Sequence, residues 1–137
     1  MKNRHFLDSN ILIYTDDHDA PEKQERSLEL FEELRSSGLG VVSTQVLQEY
    51  FVTATRKLGV PAEIARRKVE LFARLDVVQI NLDMILGAID FHRLHRFSFW
   101  DSLIIRAAIA GGCLKFLTED LQHQQRIEGL EIINPFV

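Results

Sequence analysis

Apolar positions along the chain fall into short continuous runs separated by longer stretches with helical spacing. His5-Phe6-Leu7 reads as a short buried strand ending at Asp8, and Ser9 or Asn10 is placed to cap a helix through Ile11, Leu12 and Tyr14. Pro21 suits the first turn of a second helix, with Leu28, Phe31 and Leu34 at helical spacing and Gly38 and Gly40 ending it. Val41-Val42 is the next strand. Ser43 or Thr44 then opens a third helix, in which Val46, Leu47, Tyr50, Phe51, Ala54 and Leu58 form one broad stripe that stops at Gly59. Pro61 begins a fourth helix, carrying Ile64, Val69, Leu71, Phe72 and Leu75. The β-branched run Val77-Val78-Gln79-Ile80 predicts a strand, followed by a fifth helix over about 83–95. Ser98 starts a sixth helix that ends at Gly111-Gly112, and residues 114–117 and 131–133 predict two last strands.

Short apolar strands alternating with helices predict an α/β fold, a parallel sheet flanked by helices on both faces. Right-handed crossovers run such strands the same way, so they share a carboxyl-terminal edge, which is where ligands bind in open α/β sheets. Asp8 ends the first strand, and Asp120 lies just after Phe116-Leu117-Thr118. Two acids are therefore expected at the functional edge.

Composition narrows the class without changing this picture. The 137 residues fit one domain spanning 1–137, and 46% apolar with 26% charged residues is ordinary for a soluble globular protein. Seven Gly and three Pro leave no linker-like stretch. The lone Cys113 excludes an internal disulfide and a cysteine-based zinc cluster, and suits a reducing compartment. The start MKNRHFLDSNILIY places basic residues ahead of apolar ones as a secretion signal does, but Asp8 and Asn10 interrupt the apolar run and no small-residue cleavage site follows. No window reaches the roughly 18 apolar residues of a membrane span, so a cytoplasmic protein is expected. The net charge of -4 counts mildly against nucleic-acid binding, although local charge matters more than the sum. Arg56-Lys57, Arg66-Arg67-Lys68 and the pair Arg93 and Arg96 are read as solvated helix faces.

Four acids stand apart from the surface charge. Asp101 lies in SFWDSLIIRAAIAGG, where only Arg106 is polar between Leu103 and Ala110 and faces a partner or solvent. Ser98, three residues before Asp101, makes a capping box, in which the acid bonds back to the cap's N–H. A carboxylate heading a core helix nevertheless requires an ionic or hydrogen-bonding partner. Glu49, at about 100° per residue, sits beyond Val46 on the flank of the third helix's apolar stripe, shared by Thr53; alone it reads as a rim glutamate. Thr118 and Asp120 have an ordinary use as caps for a short helix at Leu121-Gln122, with Glu119 exposed beside them.

Taken together, Asp8, Glu49, Asp101 and Asp120 have a chemical logic that none has alone. Clustered carboxylates repel, and without a cation some must protonate. Oxygen-rich acidic clusters select hard divalent ions, Mg²⁺ or Mn²⁺, which lower the pKa of a bound water and shield a phosphoryl group as charge develops. This is phosphodiester-hydrolysis chemistry without a protein nucleophile.

The runs FLDSNILIY, VLQEYF, SFWDSLIIRAA and LTEDLQHQQRIEGLEIINPF resemble the successive motifs of PIN-domain ribonucleases, and more narrowly the VapC-type toxins of bacterial toxin–antitoxin pairs. The resemblance covers the chain from about Phe6 to Phe136. It implies a PIN-like, Rossmann-like parallel sheet with the acids converging at its carboxyl-terminal edge, and a Mg²⁺-dependent endoribonuclease acting on RNA. Asp8 and Asp101 would be principal Mg²⁺ ligands, with Glu49 a further acid and Asp120 the fourth. Ser9, Asn10 and Thr118 would orient those acids. It further implies a homodimer and a small antitoxin that occludes the acidic pocket.

Other readings remain open on the residues alone. A haloacid-dehalogenase-like phosphatase also begins with an apolar strand ending in Asp and uses Mg²⁺, but wants a second Asp two residues on, where this chain has Asn10. A phospho-accepting receiver domain would need paired acids at the first strand end. A catalytically inert PIN-fold binding module would not need all four acids. His92 and His95, three apart, are a candidate metal pair without a third ligand. Phe99 and Trp100 are candidates for stacking on a base, although aromatics entering a core helix usually pack. Cys113 shows no sign of activation, and His18 with Asp16, Asp17 and Asp19 reads as a solvated loop.

Overall fold

Phe6 and Leu7 are adjacent along one strand and both have no solvent exposure. Neighbouring strand residues point to opposite faces, so both faces of the sheet are covered at this point. The structure, a computed structural model, describes residues 3–137; Met1 and Lys2, the head of the leader-like run, lie outside the described residues. Strand β1 (His5–Leu7) leads through α1 (Ser9–Tyr14) and α2 (Pro21–Ser37) to β2 (Gly40–Ser43). Helices α3 (Thr44–Arg56) and α4 (Ala62–Phe72) precede β3 (Asp76–Val78), and α5 (Leu82–Leu94) and α6 (Phe99–Ala110) precede β4 (Lys115–Leu117). The chain closes with β5 (Arg126–Ile127) and β6 (Leu130–Ile133).

The strands form one six-stranded sheet in the order β3-β2-β1-β4-β6-β5. All pairings are parallel except β5 with β6, which is antiparallel, so the sheet is mixed at one edge. The pattern of the sequence predicts the parallel strands and misses β5. β1 stands inside the sheet, with His5 level with both Gly40 and Lys115. Asp8 donates its N–H to Leu117 O at 3.0 Å, which continues the ladder one residue beyond the strand. The alternation of elements therefore places the ends of β1 and β4 side by side.

Helix boundaries follow local chemistry. Pro21 occupies the first turn of α2, and Gly38 closes it at φ 73°, donating to Leu34 O at 3.1 Å. Ser43 caps α3 by accepting from the Val46 N–H at 3.3 Å, and Asn81 caps α5 in the same way. The cap of α1 is Asp8 itself, not Ser9 or Asn10, because the helix begins one residue earlier than its apolar pattern indicates. The expected helix at Leu121-Gln122 is absent; Thr118 Oγ1 accepts the Asp120 N–H at 3.1 Å and shapes a non-helical turn. No helix among the described residues is long and apolar enough to cross a membrane.

Gly40 starts β2 where α2 and the turn before β3 press closest. A Cβ there would stand 2.9 Å from Leu34 Cβ and 2.9 Å from Leu75 Cδ2. Leu75 can rotate, but Leu34 Cβ is fixed to its helix. Gly40→Ala is therefore expected to lower stability by about 1–3 kcal/mol through overpacking, measured by urea unfolding. A variant as stable as the parent would show that α2 can shift away from the sheet.

Candidate active site

Asp8 follows β1 and is 7% exposed. One carboxylate oxygen accepts the Ser9 N–H at 2.7 Å as the α1 cap, and the other accepts the Thr118 hydroxyl at 2.8 Å. The Thr118 hydroxyl donates to Asp8 and accepts from Asn10 Nδ2 and from the Asp120 N–H, both at 3.1 Å. One donor and two acceptor sites is the whole capacity of a hydroxyl. Asn10 Nδ2 also donates to Asp120 Oδ2 at 3.0 Å. Asn10 and Thr118 thus link the first and fourth acids through direct bonds. Ser9 contributes mainly its backbone N–H, its hydroxyl lying 3.4 Å from Asp8 Oδ1.

Glu49 projects from the second turn of α3, where Gln45 Nε2 donates to its Oε2 at 3.2 Å. The same amide donates to Trp100 O at 3.3 Å, which joins α3 to the head of α6. Asp101 lies in the first turn of α6. Because α6 runs back against the direction of β4, that turn faces the carboxyl edge of the sheet. Ser98 Oγ accepts the Asp101 N–H at 3.0 Å, but the reciprocal half of the capping box does not form. The Asp101 carboxylate therefore has no hydrogen-bonding or ionic partner among the described residues.

Asp8, Glu49, Asp101 and Asp120 line one cavity of about 470 Å³, completed by Ser9, Gln48, Val52, Thr53 and Ile104. No Lys, Arg or His is among these lining residues. Burial pushes the Asp8 carboxyl up to about 7, and the nearby charges of Glu49 and Asp120 add to the rise, while the Thr118 and Ser9 bonds oppose it. The site thus carries unbalanced negative charge with oxygen donors only, which suits a hard divalent cation. As they stand, no three of the described His, Cys, Asp and Glu side chains are close enough to share one ion.

The other candidates fall elsewhere. His92 Nδ1 bonds to Phe97 O at 2.6 Å, and the His95 ring packs on Phe91 with centroids 4.3 Å apart, so the histidine pair forms no metal site. Cys113 is buried, and burial pushes its thiol up to about 12, which leaves it unreactive. Asp16 is not a solvated loop residue: it accepts the Tyr50 hydroxyl and pairs with Lys68 at 3.1 Å. Glu119 likewise pairs with Lys23 at 2.9 Å and accepts the Tyr14 hydroxyl. Arg106 is bonded to Glu128 at 2.9 Å. Trp100 is 62% exposed, contrary to the packing role expected at the start of a core helix. Gln45, which bonds both Glu49 and the head of α6, is a contact of the cavity acids that the sequence pattern missed; its spacing of four from Glu49 on one helix was the available signal.

The sequence profile of the PIN domain family matches residues 5–130. No curated protein sequence matches the chain. Among solved structures, the chain is similar to a toxin–antitoxin complex from Klebsiella pneumoniae, at 16% identity and TM-score 0.68 over 96% of this chain and 97% of that one. It is similar to DNA-bound VapBC from Salmonella typhimurium, at 23% identity and TM-score 0.67 over 96% and 97% of the two chains. It is also similar to VapC20, a sarcin-ricin loop cleaving toxin of Mycobacterium tuberculosis, at 19% identity and TM-score 0.62 over 82% and 86%. At these identities the likeness is one of fold, and it agrees with the mixed parallel sheet described above. Matched by the family profile over nearly all of its length, the chain belongs to the PIN domain family.

Proposed function

We propose that this chain is a divalent-metal-dependent endoribonuclease of the VapC toxin type, a single PIN domain over residues 1–137 that cleaves RNA in the cytoplasm. The observation that carries the reading is the convergence of Asp8, Glu49, Asp101 and Asp120 on one cavity at the carboxyl edge of the sheet. Family membership and likeness to a structure described as a sarcin-ricin loop cleaving toxin support the same chemistry. Asp8 and Asp101 would be the principal ligands of Mg²⁺ or Mn²⁺, with Glu49 and Asp120 as further acids. Mg²⁺ is commonly held through one or two carboxylates with water filling its shell, so a pre-assembled three-acid cage is not required. When bound, the ion would lower the pKa of a water and neutralise charge on the phosphoryl oxygens.

The chain's own residues have separable tasks. Thr118 and the Ser9 N–H hold Asp8 in one orientation, and Asn10 holds Asp120. Gln45 sets Glu49 relative to the head of α6. Asn10 donates its amide to both Thr118 and Asp120, a fixed donor role that does not fit the general acid a dehalogenase-like phosphatase needs at this position. An antitoxin would bind over the cavity, and the active form would be a homodimer; likeness to chains in toxin–antitoxin complexes supports the antitoxin.

Cleavage of a mixed-sequence RNA is expected with Mg²⁺ and is expected to vanish with EDTA. Because a proton competes with the ion for Asp8, whose carboxyl sits near 7, half-saturating Mg²⁺ should rise about tenfold for each pH unit below that value. Metal-independent cleavage would refute the mechanism, and absence of any cleavage with Mg²⁺ or Mn²⁺ would favour the inert binding module.

A further inference from the structure

Trp100 is the only tryptophan in the chain, and the fold leaves it 62% exposed beside Asp101. A large aromatic surface left in water on the first turn of a helix has no role in the core. Its backbone is nonetheless firmly placed. The Trp100 carbonyl accepts from Gln45, a residue only 5% exposed whose amide also holds Glu49. The backbone that carries the indole is thereby tied to one acid of the cavity by a shared amide and to another by a peptide bond. Phe99 meets it in a T-shaped contact at 5.1 Å and 75°, which uses at most one face of the indole. Val52, 47% exposed, adds apolar surface within the cavity itself.

Electrostatics sharpen the need for such a surface. The chain carries a net charge of -4, and four acids line the cavity with no lining cation, so no side chain of the cavity itself attracts a phosphate. Stacking on a neutral base face works without a cationic field. We propose that Trp100 is the stacking platform for a nucleobase flanking the phosphodiester held at the acids. The proposal rests on the nuclease reading and adds to it a subsite for an unpaired base.

Binding is measured in the Asp8→Asn background with fluorescently labelled short single-stranded RNA, so that cleavage does not intervene. The single tryptophan makes its own emission a direct reporter, and quenching on RNA addition is expected. Trp100→Ala should weaken binding by about 5- to 150-fold, the range for loss of one base–aromatic stack. Trp100→Phe should retain most of the affinity, and RNA carrying abasic positions should not distinguish parent from Trp100→Ala. Equal RNA affinity of the parent and Trp100→Ala proteins, with the parent's emission unaltered by RNA, would overturn the platform alone. A change in sedimentation mass with RNA affinity unaltered would also overturn it and assign Trp100 to a protein interface. No RNA binding by either protein would remove the nuclease reading and the platform together.

Discussion

Asp8→Asn should abolish RNA cleavage and yet, in chelator at pH 8, yield a more stable protein than the parent. The loss of activity follows from removing a principal ligand: several kcal/mol of transition-state stabilisation is on the order of a 10³-fold fall in rate. The gain in stability follows from burial. The Asp8 carboxyl stands at about 7 in the folded protein against an ordinary value of 3.8. Between those values the folded state binds a proton that the unfolded state has released, so stability falls as pH rises through this window. Above it the full cost is present, on the order of a few kcal/mol. Asn does not ionise and so escapes that cost, and it caps helices about as well as Asp. It has one oxygen where Asp8 uses two, for the Ser9 N–H and the Thr118 hydroxyl, so one bond is lost at about 1 kcal/mol. The balance favours Asn at pH 8, narrows as pH falls through the window and reverses only near pH 4, where Asp8 is largely protonated in the unfolded state as well. Thermal melts at the two pH values test this, and equal destabilisation at both would show that Asp8 is not charged and buried at once. Asp101→Asn, with no protein partner to lose, should lose activity at little change in stability.

Phe72→Ala should be the most damaging of the core substitutions for stability. Phe72 is 1% exposed and receives Phe31 of α2 at 5.3 Å and Tyr50 of α3 at 4.9 Å, both edge-on. Truncating a phenylalanine in such a setting costs about 3–5 kcal/mol, from lost burial and from the cavity left behind. For a chain of this size the melting temperature should fall by roughly 10–20 °C. Tyr50 is the neighbour of Glu49 on α3, so the same void should loosen one wall of the acidic cavity. Calorimetry checks the magnitude, and a shift of only about 2 °C, the size of a surface change, would mean that α4 contributes little to the fold.

What the sequence made legible divides along physical lines. Interior parallel strands are continuous apolar runs, so Phe6-Leu7, Val41-Val42 and Phe116-Leu117 could be placed, and with them the adjacent ends that carry Asp8 and Asp120. Strand β5 could not, because Arg126–Ile127 is too short to have a period. Its turn uses Glu128 and Gly129 at φ 48° and 84°, a pair with a far weaker turn signal than Asn-Gly. Asp16 and Glu119 looked solvated because their partners, Tyr50, Lys68, Tyr14 and Lys23, are brought to them only by tertiary packing. Trp100 misled for the opposite reason. The helix it begins is apolar nearly all round, but its first turn stands at the sheet's edge, where covering elements end. Half of the capping box failed at the same turn, which leaves Asp101 unpartnered.

The interior position of β1 has a consequence for how the protein is made. Strand β1 leaves the ribosome before both of its neighbours, and it is bordered in the finished sheet by residues that begin at Gly40 on one side and at Lys115 on the other. Until the second border has been synthesised, Asp8 has no Thr118 to bond and Asp120 does not yet exist. A nascent chain therefore cannot gather all four carboxylates while most of it is still being translated.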